Sequence, residues 1–176
     1  MLAADLEFAK KLIRDVPDHP KPGILFKDIT PLIGDARAFK ICIEQMAADF
    51  DLKSPQKFVG IEARGFIFAA ALAQRLNAGF VPARKKGKLP YRSFKQSYDL
   101  EYGVDEIEMH EDAILKGERV VVVDDLLATG GTAEAAVKLC QKLGADVLGC
   151  QFLIELEFLK GRKRLQPLET KSIFKF

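Results

Sequence analysis

Residues 120–133 read VVVVDDLLATGGTA. Four consecutive valines suit a strand buried on both faces, and the run TAEAAVKLCQKL that begins at Thr132 is made largely of good helix formers. Between them, Ala128, Thr129, Gly130, Gly131 and Thr132 form a turn in which glycines let backbone N–H groups converge and threonines add hydroxyl donors. Free N–H groups at the positive end of a helix make an anion site. The stretch lacks the Gly-Lys-Ser/Thr ending of a P-loop and the GxGxxG of a dinucleotide loop, so it suits one phosphate. Yet Asp124 and Asp125 stand directly before it. A carboxylate does not bind phosphate, but it accepts hydrogen bonds from two neighbouring hydroxyls, as a ribose presents. A sugar phosphate satisfies both features at once.

The same order of elements occurs earlier in the chain. KFVGI reads as a strand, EARG as a turn, FIFAAALAQRL as a helix and AGFVPAR as a strand; later come ERVVVV, the loop DDLLATGG, the helix and ADVLGCQFLI. Apolar strands separated by helices of this length predict parallel βαβ units, hence an open α/β sheet, mostly parallel and flanked by helices. Ligands of such sheets bind beyond the carboxyl ends of the strands, where EARG and DDLLATGG both lie. The second helix carries Ala133, Ala136, Val137 and Cys140 on one face, and Gly144 is placed to end it as a left-handed cap. Nearer the start, residues 5–15 and 36–49 read as helices, separated by PDHPKPG, which breaks any helix.

With 176 residues the chain has the length of one domain. Its 48% hydrophobic and 30% charged residues are ordinary for a globular protein. The 27 basic residues nearly balance the 25 acidic ones, which argues against a general nucleic-acid surface. No apolar run approaches the roughly 20 residues of a membrane helix, and the N-terminus has no signal-peptide pattern, so a cytoplasmic protein is expected. Cys42, Cys140 and Cys150 lie in apolar contexts without CxxC spacing and read as buried reduced thiols. His19 and His110 sit in no metal-ligand pattern and read as surface or structural residues.

VVVVDDLLATGGT resembles the binding motif for phosphoribosyl diphosphate (PRPP) in the type I phosphoribosyltransferases. PGILFKDITP, EARGF, RKKGKLP and YDLEYG are similar to further stretches of that family, in its order, from about Pro17 to Gly144. The resemblance implies a single phosphoribosyltransferase domain over residues 1–176, with a base-binding segment at about 17–34 and a flexible hood at about 86–113. It implies transfer of the phosphoribosyl group from PRPP to a purine, with diphosphate leaving. Asp124, Asp125, Ala128, Thr129, Gly130, Gly131 and Thr132 would hold PRPP or the nucleotide product. Arg64 would meet the diphosphate and take part in catalysis, and Lys85, Lys88 and Tyr102 would contact PRPP. The basic run RKKGK presents Arg84, Lys85, Lys86 and Lys88 around Gly87. Residues 90–113, where Tyr98, Leu100 and Tyr102 alternate with acids, read as two strands joined around Gly103. Glu101 is the candidate general acid or base; an ordinary Glu titrates near about 4.3, so closure and desolvation would have to raise it.

Ala128 bears on the base. Relatives that use hypoxanthine and guanine carry an aspartate at the matching position, which alanine cannot replace. PGILFKD is similar to the family's adenine-binding stretch, in which Leu25 would read the 6-amino edge through its backbone, Phe26 would stack on the ring, and Lys27 stands where relatives commonly carry arginine. The implied partners are adenine, PRPP, AMP and diphosphate, with Mg2+ held mainly through PRPP, and a homodimer. Two rivals share the motifs: a xanthine-specific phosphoribosyltransferase, and a non-catalytic PRPP-sensing regulator, which usually carries an added DNA-binding domain. A chain of this length is expected to have no room for such a domain, and it retains Glu101 and Arg64. The tail ending GRKRLQPLETKSIFKF carries no functional expectation.

Overall fold

The computed structural model describes residues 3–50, 53–99 and 104–176. The chain divides into two compact units, Met1–Gln45 and Met46–Phe176. The first opens with helix α1 (Ala3–Lys10), followed by an antiparallel pair, β1 (Arg14–Pro17) and β2 (Leu25–Asp28), and by α2 (Thr30–Gly34). A further helix, α3 (Ala36–Ala48), runs across the boundary between the units. The helix expected over residues 5–15 therefore ends early, and its last residues are a strand. Cross-strand charge explains the change: Arg14 forks onto Asp28 at 3.0 and 2.6 Å, and Lys27 meets Asp15 at 2.6 Å, each pair facing in register. Such pairs stabilise a ladder but leave no trace in the periodicity of either strand.

Asp28 also accepts from the Thr30 hydroxyl at 2.6 Å and from its amide at 2.9 Å, at the start of α2. These bonds from Thr30, with the Arg14 guanidinium, hold the Asp28 carboxyl well below the usual carboxylate range. Asp28, part of PGILFKD, thus anchors the hairpin to the helix that follows it.

In the second unit come β3 (Lys57–Ile61), α4 (Gly65–Arg75), β4 (Gly79–Lys85), β5 (Ser93–Asp99), β6 (Val104–His110), β7 (Arg119–Leu127), α5 (Gly131–Lys142), β8 (Asp146–Glu155) and β9 (Thr170–Lys175). They form a sheet in the order β5-β6-β4-β3-β7-β8-β9. The five strands from β4 to β9 in that order are parallel, as the buried valine run predicts. The β5–β6 pair is antiparallel and joins β4 only at Arg84 and Lys85, so the two strands expected within residues 90–113 form an extension of the sheet. Their connection, residues 100–103, lies outside the described residues.

The chain leaves β3 for β4 in one direction and leaves β7 for β8 in the other, with β3 and β7 adjacent. Right-handed crossovers then put α4 and α5 on opposite faces, and the two loops that start these helices open at the same edge between β3 and β7. Val120, Val122, Val59, Ile61, Phe152, Ala136 and Cys140 belong to one buried core beneath that edge. Helix α5 is buried on more than the expected stripe, since Ala135 and Leu139 are also covered, and Gly144 does end it with φ +86°.

Two short 3-10 turns, Glu157–Leu159 and Gly161–Leu165, connect β8 to β9. Arg162 in the second turn pairs with Glu155 at the end of β8, contacting both carboxylate oxygens, one of them at 3.0 Å, and it also donates to the Thr170 carbonyl and, at 3.2 Å, to the Ser172 hydroxyl. Ser172 donates to Glu155 at 2.6 Å. The tail is thereby part of the sheet's framework.

All three cysteines are free and buried, and burial pushes each thiol up to about 12. The native protein should therefore leave a thiol-specific chromogenic reagent nearly unreacted at pH 8, and three equivalents should react once denaturant is added. Rapid reaction of the native form would show that the core opens around these residues.

Candidate functional site

The two segments singled out at strand ends meet where β3 and β7 run out. They enclose a cleft of about 640 Å3 lined by Ile61, Glu62, Ala63, Arg64, Lys85, Tyr98, Asp105, Asp124, Asp125, Leu126 and Thr132. A second, much smaller pocket of about 70 Å3 lies in the turn between β7 and α5, lined by Asp124, Leu126, Leu127 and residues 128–133. Asp124, Leu126 and Thr132 belong to both. The arrangement is thus a cavity the size of one anion opening beside a wider cleft, with a carboxylate at the junction.

The small pocket follows from local structure. Gly130 precedes α5 with φ +84°, a left-handed conformation that a residue with a Cβ adopts at a cost, and the first backbone N–H groups of α5 are left without partners in the helix. They and the helix dipole favour an anion there.

Asp124 and Asp125 are strand residues, where a loop beginning at Asp124 was expected, because β7 continues to Leu127 in register with β8. Strand alternation sends neighbouring side chains to opposite faces. Asp125 meets Arg64 at 2.9 Å, and its side chain is nearly buried. Asp124 accepts from the Asp125 amide at 2.9 Å. A Cβ added at Gly65, the first residue of α4, would lie 2.8 Å from the Asp124 carboxylate, so the glycine of EARG is what lets this helix N-terminus approach the acid. Burial, with the charge of Asp125 beside it, pushes the Asp124 carboxyl well above the carboxylate range. Burial raises Asp125 too, against the pull of Arg64.

Along the other side of the cleft, Lys85 reaches Asp105 at 3.5 Å and Tyr98 donates to Asp105 at 3.1 Å. Burial raises the Tyr98 hydroxyl, and a hydrogen bond with Thr132 opposes that shift. The β5–β6 pair is therefore tied to the first turn of α5. Arg84, which has no assigned contact within the basic run, forks its guanidinium onto Glu62 at 2.9 and 3.2 Å, and Glu62 also accepts from the Lys85 amide at 2.9 Å. Arg84 thus braces the EARG turn, in which the Glu62–Ala63 peptide is cis. Lys88 follows in the next turn, where its carbonyl accepts from Arg84 at 2.9 Å, and it does not line the cleft.

Of the expected residues, the structure brings together Arg64, Lys85, Asp124, Asp125 and residues 128–132. Glu101 and Tyr102 lie outside the described residues. Leu25, Phe26 and Lys27 belong to β2 in the first unit; Leu25 is exposed, Phe26 meets the edge of His19 at 5.0 Å, and Lys27 is held by Asp15. Sequence reasoning missed Glu62, Tyr98 and Asp105 in the cleft, and missed Gly161 in the tail. An added Cβ at Gly161 would lie 2.2 Å from the Ala128 carbonyl oxygen. Glu62 opens the EARG motif already singled out, whereas Asp105 and Gly161 carry no local signal. Among the described residues there is no group of three or more His, Cys, Asp or Glu placed to hold a metal ion.

Comparison with known proteins agrees with this geometry. The phosphoribosyl transferase domain model matches residues 32–174. The chain is 58% identical over 175 residues to the adenine phosphoribosyltransferase of Myxococcus xanthus, covering 99% of this chain and 94% of that protein. It superposes with TM-score 0.95 on the crystal structure of adenine phosphoribosyltransferase from Rhodothermus marinus, at 52% identity over 99% of this chain and all of the other. The Saccharomyces cerevisiae enzyme, crystallised with an imino-altritol bisphosphate and adenine, is 38% identical with TM-score 0.93, covering 98% of this chain and 99% of that one. With a type I phosphoribosyltransferase sheet, and identity of this level along nearly its whole length, the chain belongs to the adenine phosphoribosyltransferase family.

Proposed function

We propose that the protein is a purine-salvage enzyme that transfers the 5-phosphoribosyl group of PRPP to adenine, giving AMP and diphosphate. The observation that carries this reading is Asp124 at the junction of the one-anion pocket and the wider cleft. The pocket takes the 5-phosphate on the N–H groups of residues 129–132 and the threonine hydroxyls. Asp124 and Asp125 accept hydrogen bonds from the ribose hydroxyls. Arg64, at the head of α4, turns from Asp125 toward the diphosphate, with Lys85 and Lys88 adding positive charge.

In the reaction the purine nitrogen forms a bond to C1 of the ribose as the C1–oxygen bond to diphosphate breaks. The proton released by the nitrogen passes to Glu101, a role supported by family resemblance. Leu25, Phe26 and Lys27 are assigned to the adenine on the same ground, with Lys27 acting as a charge already engaged by Asp15. Tyr102 completes the PRPP contacts.

Mg2+ belongs to the proposal as a partner of the diphosphate. The described residues do not build a site for it, since Asp124 and Asp125 form a single pair and Arg64 holds one member. On the family resemblance alone the ion is read as held mainly through PRPP, and no step is assigned to it. A cytoplasmic homodimer of single-domain chains, with residues 86–113 as a hood, completes the reading. No helix among the described residues is long and apolar enough to cross a membrane, and the near balance of charge gives no support to nucleic-acid binding.

Adenine with PRPP and magnesium should yield AMP and diphosphate, and hypoxanthine, guanine and xanthine should not substitute; turnover of xanthine with none of adenine would reverse the assignment. Glu101→Leu should lower kcat by about 10²- to 10⁴-fold while PRPP binding stays nearly intact, and unchanged turnover removes Glu101 from the mechanism. Asp124→Asn has two opposite effects. A folded-state pKa above the unfolded value makes the carboxylate's contribution to stability fall as pH rises from about 4 through the raised value. Removing the charge should therefore raise the Tm of the free protein at pH 7, by about 2–4 °C for each kcal/mol relieved. The same change should weaken PRPP binding about 10- to 100-fold, as loss of a charged hydrogen bond implies. Lower Tm with normal PRPP affinity would show that Asp124 is a structural acid.

A further inference from the structure

A loop that aims its N–H groups at an anion must point carbonyls the other way, and something has to support them from behind. In residues 128–130 that support is the backbone of Gly161. A Cβ at Gly161 would lie 2.2 Å from the Ala128 oxygen, 3.0 Å from the Thr129 carbonyl carbon and 3.0 Å from the Gly130 nitrogen. A Cβ at Gly130 would lie 2.6 Å from the Gly161 oxygen. The two turns meet backbone to backbone, with no room for a methyl group on either. Gly161 is buried and its φ is not positive, so the glycine is required by the contact and not by its own conformation.

The position of Gly161 is set by its neighbours. Lys160 before it is in the left-handed region with φ 56° and donates to the Glu157 carbonyl at 3.0 Å. Arg162 after it holds Glu155, Ser172 and the Thr170 carbonyl, which fixes the turn to the ends of β8 and β9. Leu165 at the end of the turn is buried in the core, and the Leu156 amide donates to the Leu127 carbonyl at 2.9 Å, at the last residue of β7. A chain of contacts thus runs from a buried carboxylate, Glu155, through Arg162 to Gly161 and the loop.

We propose that Gly161 and Arg162 are positioning residues for the phosphate site: the tail turn is a backstop that sets the loop of residues 128–132 at the geometry its ligand needs. The inference rests on the reading of that loop as the seat of the PRPP phosphate. A methyl at residue 161 would have to push the Ala128 carbonyl back by about 1 Å to restore ordinary C···O contact, and a displacement of about 1 Å in a binding constellation can cost about 10²-fold. The effect should fall on PRPP before it falls on adenine.

The test uses the full chain, with Gly161→Ala, the milder Arg162→Lys, and Phe158→Ala as an exposed control from the same tail. Steady-state kinetics should show KM for PRPP raised at least 10-fold in Gly161→Ala, with KM for adenine changed by less than a factor of three. Arg162→Lys should move in the same direction by less, and Phe158→Ala should match the parent. Amide hydrogen exchange of residues 128–132 should be faster in both Gly161→Ala and Arg162→Lys. An active parent, with unchanged KM for PRPP in Gly161→Ala and unchanged exchange in both variants, would overturn the proposal. If Gly161→Ala fails to fold, Arg162→Lys decides by the same two readings. A parent that makes no AMP would instead sink the proposed reaction, and the exchange measurement alone then judges the backstop.

Discussion

Two adjacent carboxylates at the end of one strand, Asp125 buried and Asp124 half-buried, are the constraint around which the rest of the second unit is arranged. Asp124 and Asp125 follow four buried valines on the same strand, so they are carried to the end of the sheet whether or not their charges are comfortable there. Burial favours their neutral forms, and a buried ion without partners is among the costliest features a fold can hold. The surrounding structure offsets part of that cost. Arg64 pairs with Asp125, the Asp125 amide donates to Asp124, and Gly65 lets the head of α4 close on the acids. What is left uncompensated is available to a ligand with hydroxyls to donate.

The chirality of the fold supplies the setting. Because β3 and β7 are neighbours whose crossovers lead in opposite directions, the loops starting α4 and α5 open side by side. One carries the arginine and the other the anion pocket. The antiparallel β5–β6 extension then brings Tyr98 and Asp105 to the same cleft from the far side of β4. Glu62 shows how closely support and function are mixed here. It lies in the cleft, yet its carboxylate is occupied by Arg84 and the Lys85 amide, which lower its pKa against the effect of burial. The turn beside Arg64 is therefore held by charge-assisted bonds before any ligand arrives.

The legibility of these features varies with the range of the interaction behind them. β7, α5 and their loop were readable because buried strands, helix faces and glycine turns are local patterns. The end of β7 was misplaced by four residues, since only pairing with β8 shows that Asp124 through Leu127 remain in the ladder. Arg14 and Asp15, the first residues of β1, were read as the end of a helix for the same reason, the β1–β2 ladder depending on charges that face across two strands. In RKKGK the resemblance assigned Lys85 and Lys88 to PRPP and gave Arg84 no partner, because the carboxylate that engages it, Glu62, stands 22 residues away.

Taken alone, the sequence determined the parallel α/β class, the anion loop, the paired acids before it and the family to which these motifs belong, all of them properties of contiguous residues. Tertiary structure decided which charges are spent on the fold and which face the cleft: Arg84 and Lys27 are engaged by carboxylates, whereas Asp124 waits at the junction of two pockets. It also decided that the tail matters. Gly161 reaches Ala128 across 33 positions of sequence only because the sheet sets the ends of β7 and β8 beside each other, and no local pattern of residues records a contact between two distant backbones.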